Sequence, residues 1–376
     1  MKVLVTGGAG FIGSHTVDLL LQKGYEVRVL DLLQERVHPY GKPEYISKEV
    51  EFIQGDVSDR DAMLNALNGV EGVFHLAAYQ DYMKDFSNFI KANTYSTALI
   101  FELIVEKKLN IKKIVLASSQ SVYGEGKYTC KVHGIQYPDS RSVEQLEEAD
   151  WEIHCPQAGC KEYLTSVLID EAVTNPFTAY GISKEALDRL AVKLGKRYQL
   201  PTASMRYSIV QGPRNSFFNA YSGVCRIFTL RLINNKPPAI YEDGKQLRDY
   251  VHVLDVARAN VLAFEDSRAD YESFNVGGIE GINLLDYTKL LTKAAGKNIE
   301  PVVSGYFRYG DTRHTVSSSE KLKKLGWKNE HTLENIFKDY LKWVYEQPDL
   351  KDRYEEIEAI MKKQKVIRQS KIQALS

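Results

Sequence analysis

Tyr180 and Lys184 stand four apart in Ala179-Tyr-Gly-Ile-Ser-Lys184, at the start of a stretch whose spacing predicts a helix to about Tyr198. Residues four apart on a helix share a face. A free phenol ionises near pH ~10, too high for a base at neutral pH. An ammonium and a second cation beside it favour the phenolate and bring it toward the working range. The pair gains weight from its position, one segment after a strand that ends in Ser118-Ser119. In Ala117-Ser-Ser-Gln-Ser-Val-Tyr-Gly124 a hydroxyl can bridge the tyrosine to a substrate alcohol and shorten the proton's path. The expected chemistry is proton removal from a carbinol, with Tyr180 and Lys184 as catalytic residues and a hydroxyl of the serine-rich turn beside them.

A carbinol that loses a proton in this way also needs a hydride acceptor, and the first residues of the chain provide for one. Val3 to Val5 read as a buried strand, Phe11 to Lys23 as a helix, and Thr-Gly-Gly-Ala-Gly-Phe-Ile-Gly13 joins them. Gly7, Gly10 and Gly13 there let the backbone turn tightly, approach a pyrophosphate and pack helix on sheet. The helix start at Phe11 and Ile12 offers N–H groups and a positive dipole end. Tyr25 to Leu30 is the next strand, and Asp31 at its end suits both ribose hydroxyls of NAD; Arg36 nearby leaves NADP open. Asp56 and Val57 close one later strand. Leu76, Ala77 and Ala78 close another, and both groups are expected beside the adenine and the nicotinamide ribose. Asn93, in a long amphipathic helix over residues 88–107, is placed with the cofactor residues.

Strands and helices alternate throughout the first half. The expected fold class is therefore α/β: a Rossmann-type doubly wound parallel sheet with a smaller α/β substrate-binding lobe. The expected layout is a cofactor domain over 1–205, with an insertion at about 125–172 and residues 249–266 returning to it. A stretch over 206–348 that is mainly substrate-binding lobe and a charged, solvated helical tail over 349–376 follow. The 376 residues are 44% hydrophobic, enough for one large unit or two lobes. Forty-nine basic side chains balance forty-nine acidic ones, which argues against a nucleic-acid or membrane partner. No apolar run approaches membrane-spanning length, and a strand starting at residue 2 leaves no room for a signal peptide. Four cysteines make no disulfide scaffold. The expected location is the cytoplasm.

Taken together, the glycine turn, Asp31, Ser-Ser-x-x-Val-Tyr-Gly and Tyr-x-x-x-Lys resemble the extended short-chain dehydrogenases/reductases that act on nucleotide sugars. The resemblance covers roughly residues 1–345. It implies Ser119 as the catalytic hydroxyl, Tyr180 as base and Lys184 as its assistant. It also implies substrate contacts from Gln80, Ser119 and Gln120, and phosphate contacts from Arg248 and Arg308. Fork-shaped guanidinium groups suit phosphate oxygens. Where the family usually has Asn and Tyr this chain has Ile209 and Gln211, and Asn219 is a substitute polar contact. Family dehydratases carry an Asp-Glu pair where Gln120 and Ser121 stand here, so dehydration is disfavoured; Asp31 argues against an NADPH-linked reductase. Epimerisation at C4 through a 4-keto sugar remains. His75-Leu-Ala-Ala-Tyr-Gln-Asp-Tyr82 and Arg206-Tyr-Ser-Ile-Val-Gln-Gly-Pro-Arg214 resemble the dTDP-L-rhamnose 4-epimerase branch, which shares the Ile209 and Gln211 departures. Family members commonly dimerise through two helices each, which implies a homodimer through residues 88–107 and 175–198.

The insertion holds three of the four cysteines. Cys130-x-x-His133 and Cys155-x-x-x-x-Cys160 supply four soft ligands that zinc could hold tetrahedrally. Related chains look to have Cys-Pro-x-Cys-Gly at the second half, where Ala158 replaces the second cysteine here. A metal-free knuckle is the competing expectation. His154 is a spare ligand or a surface residue, and Cys225 lies apart and is expected to be buried.

Overall fold

A computed structural model describes residues 1–81, 84–216, 218, 223–278 and 280–371. Short apolar runs separated by amphipathic helices form a seven-stranded sheet. Its first strands in chain order are β1 (Lys2–Thr6), β2 (Glu26–Asp31), β3 (Glu51–Gln54), β4 (Gly72–His75) and β5 (Lys113–Ser119). Three short strands of the insertion follow: β6 (Tyr128–Cys130), β7 (Gly134–Gln136) and β8 (Thr165–Ser166); β9 (Thr202–Tyr207) then returns to the large sheet. Across that sheet the order is Glu272–Val276, β9, β5, β4, β1, β2, β3, with every pair parallel. The order of strand succession therefore reverses between β1 and β4, which opens a crevice at the carboxyl ends of those strands.

The period-two alternation of strand side chains divides the core between the two faces. Val3, Val5, Val29, Phe74 and Val115 pack on one face; Leu4, Leu30, Val73, Ile114 and Leu116 pack on the other. Helix Phe11–Gln22 follows the glycine turn, and Asp59 caps helix Arg60–Leu67 by accepting from the Ala62 N–H at 2.8 Å. The helix expected over 88–107 is helical but not uniform: α-helix Phe86–Phe89 passes into a π turn, Ile90–Tyr95, and then α-helix Ser96–Lys107. Inside this fold His75 is pinned between Thr6 Oγ1 (2.7 Å) and Ser96 Oγ (2.9 Å). Burial holds that imidazole down at about 3, so it is a neutral tie between β1, β4 and the long helix.

Two features differ from the sequence expectation. Glu272–Val276 was expected in the substrate lobe but forms the edge strand of the large sheet; only Phe274 and Val276 carry its apolar alternation, too short a pattern to stand out. Among the described residues the tail also has one buried face and so is not solvated all round. Tyr354, Ile357 and Met361 are buried at helical spacing on helix Tyr354–Lys363, and Ile367–Gln369 pairs antiparallel with Tyr306–Arg308. Among its many charges, that stripe of three apolar residues decides its place.

The rest of the second half combines short strands with helices Val224–Ile233, Val253–Glu265, Leu284–Ala294 and Leu333–Tyr345. Leu247–His252 pairs with Ile209–Gln211, Gly281–Asn283 and His314–Thr315. Beneath them lies a core of Phe228, Tyr250, Tyr287, Phe337 and Tyr340, which also encloses Cys225 as expected. Among the described residues, no helix is long and apolar enough to cross a membrane.

Candidate active site

A groove of about 440 Å³ runs over the carboxyl ends of the strands, and the glycine turn forms its floor. Gly7 takes φ +68°, and a Cβ there would lie 2.7 Å from the Ala77 backbone. At Gly13 a Cβ would stand 2.0 Å from the Gly7 carbonyl oxygen, so helix and turn close only around a hydrogen. The helix N-terminus leaves its first N–H groups without intrahelical acceptors beside this floor. Gly10, Phe11 and Ile12 line the groove with Gly7 and Gly13. This is a cradle that fits a pyrophosphate.

Asp31 lines the same groove, and its carboxylate accepts from the Ala9 N–H and the Leu33 N–H, both at 2.9 Å. The carboxylate thus fixes the glycine turn as well as facing the ribose position. Arg36 is also on the wall; its guanidinium pairs with Asp81 and donates to Gln34 at 3.1 Å, so its charge is already matched. Asp56 and Val57 form the next part of the wall, with Lys91 of the π turn 3.5 Å from Asp56. Leu76, Ala77, Ala78 and Gln80 line it as well.

Tyr180 lines the opposite end of the groove, beside Ala117 and Tyr207. It opens helix Ala179–Tyr198, whose N-cap Thr178 accepts from the Gly181 N–H. Lys184 lies one turn on, with Nζ 5.8 Å from the Tyr180 ring centre. The amine is 2% exposed, donates to the Ala117 carbonyl at 2.7 Å, and is driven by burial down to about 7. It is thus an amine that can change charge near neutral pH next to the phenol. Ser119 sits at the end of β5, where its Oγ accepts from Ser121 N (3.2 Å) and Ser121 Oγ (3.0 Å). Gln120 follows it, with Oε1 buried and without a hydrogen-bond partner among the described residues.

Several expected residues sit away from the groove wall. Asn93 is fully buried and accepts from the Tyr79 N–H, while its amide N–H₂ donates to the Tyr79 carbonyl and Ser183 Oγ. Its side-chain polar atoms hold the wall from behind, and Asn93 is not among the residues that line the groove. Arg248 donates to the carbonyls of Leu247, Thr312 and Arg313. Arg308 is covered by the tail, where it meets Met361 Sδ and lies 3.7 Å from Asp311. Neither arginine is on the wall of this groove. Asn219 lies outside the described residues.

Composition gave no reason to single out His38, Tyr79, Lys91, Arg214 or Arg226, yet all line the groove. Arg214 stood within Gly212-Pro-Arg214, and its pairing with Asp18 of helix Phe11–Gln22 (2.7 Å) is a long-range contact that no local pattern reveals. In the insertion, Cys130, His133, Cys155 and Cys160 bring one ligand atom each to within 4.8 Å of one another. His154 is engaged elsewhere, bonded to Asp150 and packed on the Tyr163 ring.

Comparison with known proteins agrees with this arrangement. The chain is 30% identical to a dTDP-L-rhamnose 4-epimerase of Burkholderia thailandensis over 359 residues, covering 93% of this chain and 97% of that one. It is also 30% identical to a UDP-glucose 4-epimerase of Lacticaseibacillus casei, over 93% of this chain and 98% of that protein. The crystal structure of Thermotoga maritima UDP-glucose 4-epimerase with UDP-glucose superposes with a TM-score of 0.75 at 30% identity, over 92% of this chain and 99% of that one. That of the Thermus thermophilus UDP-glucose 4-epimerase complex with NAD gives 0.73 at 28%, over 93% and 100%. The family model matches residues 3–143 and 159–277, which takes in the glycine turn, Tyr180 and Lys184; the break between the two segments falls in the insertion, and the match ends before residue 278. With the groove, its floor and its tyrosine all inside the matched residues, the chain belongs to the NAD dependent epimerase/dehydratase family.

Proposed function

We propose that this protein is an NAD-dependent nucleotide-sugar 4-epimerase and that its sugar is a dTDP-6-deoxyhexose such as dTDP-L-rhamnose. The observation that carries the reading is the placement of the Tyr180 phenol in the same groove as the glycine cradle, with the buried Lys184 amine one turn away. NAD, when bound, supplies the acceptor and donor of the C4 hydride. Gly7, Gly10 and Gly13 would hold its pyrophosphate, and Asp31 its adenosine ribose. Tyr180 takes the proton of the 4-hydroxyl and returns it after the 4-keto sugar has presented its other face. Lys184 holds positive charge near the phenolate, and Ser119 supplies the bridging hydroxyl. Gln120 and Ser121 have no ionisable group with which to move a C5 proton, which leaves epimerisation as the outcome.

Support for the sugar comes from the Burkholderia relative and from the Ile209 and Gln211 positions; Gln211 is buried and accepts from the Tyr287 hydroxyl at 2.8 Å. The test is to mix the pure chain with dTDP-L-rhamnose and separately with UDP-hexoses, then read C4 configuration by NMR. Interconversion of the dTDP sugar is expected. Turnover of UDP-hexoses alone would move the sugar assignment to the UDP-glucose 4-epimerase relatives. No interconversion of any nucleotide sugar, with NAD bound, would overturn the reading. A homodimer belongs to the same proposal: Ile90, Tyr95 and Ile182 are 45%, 47% and 46% exposed on the two helical segments expected to pair.

A further inference from the structure

The Cys/His cluster of the insertion is remote in kind from hydride transfer, and its geometry is specific. Cys130 closes β6, and the tight turn to β7 brings His133 Nδ1 to 3.7 Å from Cys130 Sγ. The second half arrives from a separate loop. Cys155 Sγ lies 3.6 Å from the same His133 Nδ1, and Cys160 Sγ lies 3.9 Å from Cys130 Sγ. A tetrahedral zinc ion with its usual bond lengths requires S···N edges of about 3.6 Å and S···S edges of about 3.8 Å. All three separations match. A Cys130–Cys160 disulfide would instead bring the sulfurs to about 2.05 Å, and all four cysteines are free.

The surroundings are those of a thiolate site. The Val132 N–H donates to Cys130 Sγ at 3.4 Å, and Tyr128, Ile153 and Leu164 form an apolar shell around Cys130 and Cys155. Gln157 donates to Gln136 at 3.0 Å and so ties the two halves together. The four-residue spacing between Cys155 and Cys160, which looked unpromising in the sequence, is taken up by a turn: Cys160 N–H donates to the Gln157 carbonyl, and Gly159 adopts φ +78°.

We propose that Cys130, His133, Cys155 and Cys160 bind one zinc ion in a closed, structural site. Four protein ligands leave no position for water or substrate, so the ion braces and does not react. What it braces can be followed residue by residue. Glu152, three residues before Cys155, accepts from Arg313 at 2.6 Å and lies 3.4 Å from His314. The carbonyls of Thr312 and Arg313 in turn hold the Arg248 guanidinium. Zinc thus fixes one end of a chain of contacts that orients Arg248. This consequence for Arg248 rests on the proposed epimerase reading; the metal site itself does not.

The test uses the full chain purified without a polyhistidine tag or chelator, with metal content read by inductively coupled plasma mass spectrometry. About one zinc per chain is expected, as for closed four-ligand sites. Cys155→Ser/Cys160→Ser should lose at least nine-tenths of it, while Cys225→Ser keeps it. Should the double variant fail to fold, cobalt exchanged into the unaltered chain should show thiolate charge-transfer bands and the strong visible bands of a tetrahedral centre. Zinc below a tenth of an equivalent after zinc supplementation, cobalt spectra without thiolate bands, or a Cys130–Cys160 disulfide in the non-reduced chain would each overturn the site. On removal of zinc, KM for the nucleotide sugar should rise several-fold with NAD affinity unchanged. Failure of that arm alone, with zinc present, would refute the link to Arg248 and leave the metal site standing.

Discussion

The two sides of this molecule are held together by different forces. The cofactor side is a ladder of parallel strands between two apolar layers, and the buried polar groups within it, such as His75, Asn93 and the ion pair Arg206–Asp188 (2.6 Å), are paired at short range. On the other side, the insertion meets the second half of the chain through buried charge. Arg141 forms a two-pronged pair with Glu242, both bonds at 2.9 Å, and donates to the Asp311 carbonyl. Arg313, with no exposed surface, pairs with Glu152, Glu242 and Asp243. Glu125, fully buried beside Arg141, accepts the Arg313 N–H. Apolar layers tolerate small losses gradually, whereas a buried ion network left one partner short holds an uncompensated charge. The apolar layers of the cofactor side should therefore tolerate small truncations, and the ion network of the other side should be the part that loss of a single partner destabilises.

The largest effect is expected where the two sides meet, at the phenol. Tyr180→Phe should lower kcat by at least about 10²–10⁴-fold, the usual worth of a positioned acid–base group, while NAD binding measured by fluorescence is retained. Activity near the unaltered level would remove Tyr180 from the base role. On the cofactor side, Gly13→Ala must displace the Gly7 carbonyl, since the added Cβ would lie 2.0 Å from its oxygen. NAD affinity should fall steeply, and unchanged affinity by titration calorimetry would mean that the turn is not the pyrophosphate cradle.

On the other side, Glu242→Gln leaves Arg141 and Arg313 short of a carboxylate. It should cost about 3–5 kcal/mol, seen as a lowered denaturation midpoint. A loss below about 1 kcal/mol would mean that the network is solvated. Such values belong to exposed pairs.

The pH dependence of stability should sharpen the comparison further. Burial holds His15 at about 4, His75 at about 3 and His252 at about 4. Below about pH 6.5 the unfolded chain takes up protons that these folded imidazoles refuse, so stability falls from there toward pH 4. Asp249, raised by burial to about 6, acts in the opposite sense between about pH 6 and 4, where the folded form holds the extra proton. Three histidines outweigh one aspartate, and denaturant midpoints should decline across that window. Midpoints that rise on acidification would show the histidines to be charged in the fold. The smallest effect is expected from Arg248→Ala, which should raise KM for the nucleotide sugar with little change in kcat. An unaltered KM would place Arg248 outside substrate binding.

The cofactor half was legible because its information is local. Val3 to Val5, the glycines and the helix from Phe11 are contiguous, and the alternating faces of β1 follow from period alone. Tyr180 and Lys184 were legible from a four-residue spacing, but the fate of the lysine was not: its amine is held by Ala117, which is 67 residues away. The surroundings of Asn93 were hidden for the same reason, because its partners Tyr79 and Ser183 come from two other segments. Arg308 looked available for phosphate because the tail looked solvated; three apolar residues in a highly charged helix were enough to lay that tail over it. The insertion shows the converse. A ligand spacing that looked displaced is compensated in three dimensions by one turn at Gly159.

The central claim is that one groove both accepts the C4 hydride and returns it to the opposite face of the same sugar. It is tested most directly by turnover of a dTDP-6-deoxyhexose carrying deuterium at C4, in ordinary water. Product with inverted C4 that keeps the deuterium is the predicted result. Inverted product that has lost the label to solvent would contradict the account.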